Sequence, residues 1–233
     1  MSMQSHYGVM AINAPLAARQ RFIRLTYAHL TGAIVAFTLL SFMFYMIGLG
    51  EQIVAAMGTG RFAWLLILGG FMVVSWMATS LAHSDKAPAW QYAGLVIYTL
   101  AEAIIFAPLL WIAKEFAPGV LPTAATITLL TFGALTAYVL VSKSDFSFLR
   151  TALTIGGLIA LGLIVCGAIF GFHLGLWFSA GMIVFAIGCI LYTTSQVLHE
   201  YSPDQYAAAS LSLFAAVALL FWYVLRLLLE LRR

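Results

Sequence analysis

Long apolar blocks, each ended by a few polar or turn-forming residues, repeat along the chain almost from one end to the other. A transmembrane helix needs about 20 predominantly apolar residues. The breakers divide the pattern into seven predicted spans: Leu25–Ile47, Phe62–Leu81, Gln91–Ala113, Val120–Val141, Thr151–Phe170, Leu174–Leu198 and Tyr206–Leu229. The links "GLGEQIVAAMGTGR", "AHSDKAPAW", "KEFAPG", "SKSDFSFLR", "GFH" and "HEYSPDQ" are short, so neighbouring helices must run antiparallel. The predicted fold is an all-α membrane protein, about seven transmembrane helices in one bundle. Residues 1–24 read as an N-terminal polar segment and residues 25–233 as a single domain. A β-barrel is excluded, because its strands alternate over about ten residues.

Composition sharpens this picture. Hydrophobic residues make up 64% of the 233 residues and charged residues 8%. Soluble domains carry about 25% charged residues, so this chain could not cover a water-facing surface. The net charge of +3 says little about partners. Arginines gather at the two ends, Arg19, Arg21 and Arg24 against Arg226, Arg232 and Arg233, where they suit lipid headgroups and not nucleic acid. The partner this implies is the lipid bilayer. With the N-terminus inside, that side holds Arg19, Arg21, Arg24, Lys86, Lys143 and Arg150. The other side holds Arg61, Lys114, Arg226, Arg232 and Arg233. The N-terminal cluster sets the predicted orientation, N-inside and C-outside. The first block, "LTYAHLTGAIVAFTLLSFMFYMIGLG", is too long for a signal-peptide core and reads as an uncleaved span.

Against so few charges, Glu102 in "IYTLAEAIIFAPLL" stands out near the middle of the third predicted span. An ionised side chain there costs about 2.5–3.5 kcal/mol on insertion scales. Such a residue lines an ion or proton path, or serves as a neutral carboxyl hydrogen-bonding between helices. Pro108 follows in the same span; it cannot donate to the Ile104 carbonyl and should kink the helix near Glu102. Thr123, Thr126, Thr128, Thr131 and Thr136 on the fourth span read as a packing surface whose hydroxyls bond their own helix. His29 is expected near the headgroups, and His173 and His199 lie in short connections. Asp145 is predicted as a helix cap or turn residue. Cys166 and Cys189 read as small buried hydrophobes. With no nucleophile–base arrangement, nucleotide loop or metal spacing, no enzymatic activity, cofactor or metal site is predicted.

The sixth predicted span ends in "ILYTTSQVLHEYSPDQY". Thr193, Gln196 and Glu200 share one helix face, with Tyr192, Gln196 and His199 as an adjacent stripe. One reading is a neutral polar seam to Ser210 or Ser212, at about 0.6 kcal/mol per contact. The other is a hydrated ion path using Thr193 and Gln196 oxygens, with Glu102 as its carboxylate.

Four stretches, in order, carry a resemblance: "RFIRLTYAHL", "YTLAEAIIFAPLL", "LPTAATITLLTFGALTAYVLVSKSDFSFL" and "ILYTTSQVLHEYSPDQYAAASLSLFAAVALLFWYVLRLLLEL". Together, from about Arg21 to Leu229, the chain resembles the Bax inhibitor-1 (TMBIM, YccA-like) family, and bacterial members most. The resemblance implies seven helices with the last one central, and a bacterial inner-membrane location. It implies a pH-sensitive calcium leak, with Ca²⁺ or H⁺ as the ion, because better studied members behave so. Some eukaryotic members suppress cell death from the endoplasmic reticulum, and a bacterial relative modulates a membrane AAA protease. The resemblance therefore also offers a non-transporting regulator with a membrane protein partner.

In leak-competent members two aspartates, on the sixth and seventh helices, share a proton and form the gate. The family commonly reads "LYDT" where this chain has Leu191-Tyr192-Thr193-Thr194, which sets Thr193 at the first acidic position. Aligning "LSLFAAVALLF" sets Ala216 at the second. Two carboxylates in contact trap a proton because they resist being charged together. Thr193 and Ala216 cannot do this, so the resemblance implies a member without that gate.

Overall fold

The computed structural model describes residues 10–58, 63–84, 88–171 and 174–232. After a short 3₁₀ turn at Ala11–Asn13, eight α-helices follow among the described residues. They are α1 (Leu16–Met46), α2 (Leu49–Gly58), α3 (Ala63–Ala82), α4 (Pro88–Phe116), α5 (Val120–Ser142), α6 (Leu149–Phe170), α7 (Gly175–His199) and α8 (Tyr206–Leu231). All but α2 are long and apolar enough to cross a membrane. Of the positions invoked above, Arg61, Phe62, Lys86, His173 and Arg233 lie outside the described residues.

Two boundaries differ from the hydropathy pattern. The polar segment expected over residues 1–24 is already helix from Leu16. At 1.5 Å per residue α1 is about 46 Å long, more than the roughly 30 Å hydrocarbon core. Its first turns keep Arg21 and Arg24 exposed while Phe22 and Thr26 are buried, so amphipathic spacing extends the helix beyond its apolar run. The link "GLGEQIVAAMGTGR" contains α2, which apolar Ile53 and its neighbours hold against α1 and α4.

The C-terminal helix is central. Fourteen of the 26 residues of α8 are buried, which requires neighbours on nearly every side. Contacts between neighbours order the others around it as α1, α4, α3, α6, α7 and α5. Inside a bilayer, burial of apolar surface does not drive helices together, so close approach of small residues does much of the work. Ala207, Ala208 and Ala209 at the start of α8 are fully covered. Between α3 and α4, Gly94 lies so near Ala78 and Ala82 that a Cβ on it would sit 2.5 Å from the Ala78 carbonyl oxygen. Gly50 of α2 fits in the same way against the backbone of Ala107.

The kink expected at Pro108 is not a break: α4 runs as helix through it to Phe116. Neighbouring helices make such prolines tolerable in a membrane.

Gly94→Leu tests the tight α3–α4 contact. Overpacking of this kind costs about 1–3 kcal/mol, and here the obstacle is backbone. The variant is expected to lose thermal stability in detergent, read by the melting of its monodisperse peak, while Gly133→Leu, a position with open space around it, melts with the parent protein.

Candidate functional site

Glu102 sits in the half of α4 that faces inward. It is 6% exposed, and it faces a cavity of about 720 Å³ bounded by α3, α4, α6, α7 and α8. The phenol of Tyr98, one turn earlier on α4, is the side chain that interacts with its carboxyl. Most of the wall is apolar; the polar groups on it include Tyr98, Thr193, Ser212 and Arg226. Glu102 is the one carboxylate on the wall among the described residues.

The cavity is elongated along the bundle axis. On α8 its lining runs from Ser212 to Arg226, about 21 Å at 1.5 Å per residue. At one end are Thr193, Ser212 and Tyr98; at the other are Trp64, Leu174 and Arg226. The Arg226 Nε donates to Glu230 Oε1 at 3.1 Å, and its guanidinium lies 6.0 Å from the Phe178 ring. That end therefore carries a cation whose charge is partly matched.

The Ser212 end is bordered by a hydrogen-bonded group. Tyr201 Oη lies 2.8 Å from Ser212 Oγ and 3.2 Å from His83 Nε2. The other ring nitrogen of His83, Nδ1, is 2.9 Å from the Thr79 carbonyl, an acceptor only, so Nδ1 carries a proton. Tyr201 is 8% exposed and burial raises its phenol above the usual value. The Tyr201 carbonyl also accepts a hydrogen bond from Ala11 N at 2.8 Å, tying the start of the described chain to this group.

Thr193 and Ala216 both face the Glu102 cavity. The Thr193 hydroxyl donates to the Cys189 carbonyl at 2.7 Å, which leaves its lone pairs free for the cavity. Gln196 is not on the wall; its Nε2 donates to Glu200 Oε2 at 2.8 Å. The seam expected between this stripe and the last helix does not form as drawn. Ser210 donates to the Thr26 carbonyl of α1 and to Tyr206, and Ser212 pairs with Tyr201. Periodicity gave the face of α7 but not the rotation of α8, which turns Ser210 toward α1.

The remaining candidates lie away from the Glu102 carboxyl. His29 lies between the rings of Tyr92 and Tyr206, at centroid distances of 5.4 and 5.2 Å. His199 Nδ1 is 2.9 Å from the Ser195 carbonyl. Asp145 is a turn residue as expected: its carboxylate accepts from Ser147 N at 2.8 Å, which holds it below the ordinary range. Thr123 and Thr126 bond their own helix, whereas buried Thr128 and Thr136 have no hydroxyl partner among the described residues. Cys189 is partly buried, but Cys166 is exposed, contrary to its reading as a buried hydrophobe, because α6 turns it outward. Neither cysteine is paired with another described residue.

A bundle of apolar helices around a central one, with a carboxyl-bearing cavity inside it, defines a polytopic integral membrane protein. A family model described as an inhibitor of apoptosis-promoting Bax1 matches residues 19–233, and the chain belongs to the Bax inhibitor-1 family. An uncharacterized protein of Pseudomonas aeruginosa is 29% identical over 165 residues, 70% of this chain and 72% of that one. The Golgi anti-apoptotic protein of Vaccinia virus is 33% identical over 152 residues, 63% of this chain and 60% of the viral one. Bax inhibitor 1 of Schizosaccharomyces pombe is 29% identical over 216 residues, 90% of this chain and 76% of the yeast one.

Sequence reasoning missed His83 and Tyr201. Both are polar residues in short links, where solvated side chains are ordinary, and only the fold brings them to Ser212. Removing the Tyr201 hydroxyl should free Ser212 and loosen this border of the cavity. A hydrogen bond contributes about 1 kcal/mol net, so in a Cys166→Ser background Tyr201→Phe is expected to raise the alkylation rate of Cys189, which faces the cavity, about fivefold with a water-soluble maleimide.

Proposed function

We propose that this protein is a cation leak, passing Ca²⁺ or H⁺ through the Glu102 cavity, in a bacterial inner membrane with its N-terminus cytoplasmic. It acts without enzymatic chemistry. The observation that carries the reading is a buried carboxyl facing an elongated cavity, since an intramembrane acid is costly and is kept where it handles ions. The other oxygens on the wall, from Thr193, Ser212 and Tyr98, are hydroxyls. A hard divalent cation takes six to eight oxygen ligands, so one carboxyl with hydroxyls holds it weakly, as a leak requires.

In this reading Thr193 and Ala216 occupy the positions of the family's paired acids, and the leak lacks their pH gate. That both residues line the Glu102 cavity supports it.

In proteoliposomes assayed from pH 6 to 8, wild-type protein should pass Ca²⁺ above empty vesicles. Glu102→Gln should reduce that flux about tenfold, equivalent to 1.4 kcal/mol. Absence of wild-type flux sinks the leak reading, and equal flux in the variant removes Glu102 from the path. The double change Thr193→Asp with Ala216→Asp should create a pH-dependent flux, falling as the shared proton is lost or gained across the range; a pH profile unchanged from wild type would rule out the gate argument.

The viral relative's name records an effect on cell death, not on ions. That favours a second reading, a non-transporting membrane regulator whose partner is another membrane protein, for example a quality-control protease. Cross-linking and co-purification from native membranes tests it, with recovery of lipid alone as the result against it.

A further inference from the structure

The ring around α8 has a second opening, on the opposite side from Glu102. Between α1 and α5 a cavity of about 410 Å³ reaches in to Phe214 and Phe221 of α8. Its large exposed hydrophobic liners are Phe42 on α1 and Leu129 on α5, 60% and 51% exposed. Since these large apolar side chains flank the entrance along the length of two spanning helices, the cavity opens toward acyl chains and not toward water.

Its wall is graded. At the end near the bilayer face, Lys114 projects over the Tyr45 ring, 4.3 Å from the centroid. The neighbouring acid, Glu115, is engaged by the Tyr45 hydroxyl, which donates to Oε1 at 2.8 Å. Outside the lining itself, Arg232 brings a second cation to the α4–α5 turn that follows Lys114, donating to the Pro118 carbonyl at 2.7 Å. One turn deeper on α1 is Ser41, and across from it Thr128, which is 2% exposed. Both hydroxyls face the cavity, are buried and have no hydrogen-bond partner among the described residues. Thr123 and Thr126 of the same helix do bond their own backbone, whereas Thr128, like Thr136, does not. Deeper still the wall is apolar, with Phe37 and Phe214. Buried hydroxyls without partners are costly, and a ligand that accepts hydrogen bonds at that depth removes the cost.

We propose that this cavity binds one acyl chain of an anionic phospholipid from the surrounding leaflet. The chain lies against Phe37 and Phe214, ester oxygens accept from Ser41 and Thr128, and the phosphate meets Lys114 and Arg232. The order cation, hydroxyl, apolar wall follows the order phosphate, ester, chain. Two cations beside an engaged carboxylate favour an anionic headgroup over a zwitterionic one.

Native mass spectrometry of the full-length, delipidated protein tests this, with phosphatidylglycerol and phosphatidylcholine of identical chains added in parallel. One phosphatidylglycerol per chain should be retained, about tenfold more tightly than phosphatidylcholine, as two charge-assisted contacts allow. Lys114→Gln with Arg232→Gln should erase that preference. Ala125→Phe, which fills the cavity, should abolish retention of both lipids, and Thr128→Val should weaken both about fivefold, the loss of one hydrogen bond. Equal retention of the two lipids overturns the anionic headgroup, and tighter retention of oleate overturns a phospholipid occupant. Unchanged phosphatidylglycerol retention in Ala125→Phe places the lipid elsewhere. Where Ala125→Phe does not fold, Thr128→Val, close in size to the native residue, decides: retention equal to wild type overturns the proposal.

Discussion

Close approach of backbones, made possible by residues with little or no side chain, is the constraint on which the rest of this bundle depends. Lipid is as apolar as leucine, so burying leucine between helices gains little there; contact area and hydrogen bonds must hold the helices together. Ala207, Ala208 and Ala209 let α8 enter the bundle, Gly94 lets α4 meet α3 at Ala78 and Ala82, and Gly50 lets α2 rest on the Ala107 backbone. The central place of α8 follows. Its inner stretch presents small or medium side chains on most of its circumference, so several neighbours can reach it at once. Bulk returns where neighbours stand further off: Phe214, Phe221 and Trp222 project into the wider spaces of the ring.

Those wider spaces are two seams, and they differ in chemistry. The seam between α3 and α6 is lined around Glu102 by hydroxyls, a phenol and an arginine. The seam between α1 and α5 is apolar except near one bilayer face. One seam therefore suits a small hydrated species and the other an amphipath, although both are products of the same packing. The two linings share Ala218 and also meet where Phe106 of the Glu102 cavity packs on Phe37 and Phe221 of the other.

Much of the architecture was legible in the apolar blocks, because a helix in a bilayer must satisfy its own backbone and be apolar over its full depth. Glu102 was legible for the same reason: a lone acid in such a block has few permissible surroundings. The short helix α2 was not, since ten residues with a glutamate look like a link until Gly50 finds Ala107. Nor were the rotations of individual helices. Apolar residues surround each span, so periodicity could not say that Cys166 faces outward, that Gln196 pairs with Glu200 or that Ser210 turns to α1. The group of His83, Tyr201 and Ser212 depends on a histidine 118 positions from its tyrosine partner, and no local pattern announces it.

The glycine contact between α3 and α4 has a mechanical consequence. With the Ala78 carbonyl and the Ala82 backbone lying within 3 Å of where a Cβ on Gly94 would stand, these two helices are interlocked like meshed teeth and can neither slide nor part without unmeshing. They form the stiff wall of the Glu102 cavity. The opposite wall, α6, lies mainly against α7, where Gly156 and Gly157 rest on the ring of Phe185, and it touches α3 only lightly. A flat ring against two glycines is a bearing surface. The α6 side is therefore the less tightly held wall of the cavity, while the carboxyl of Glu102 sits on the interlocked one.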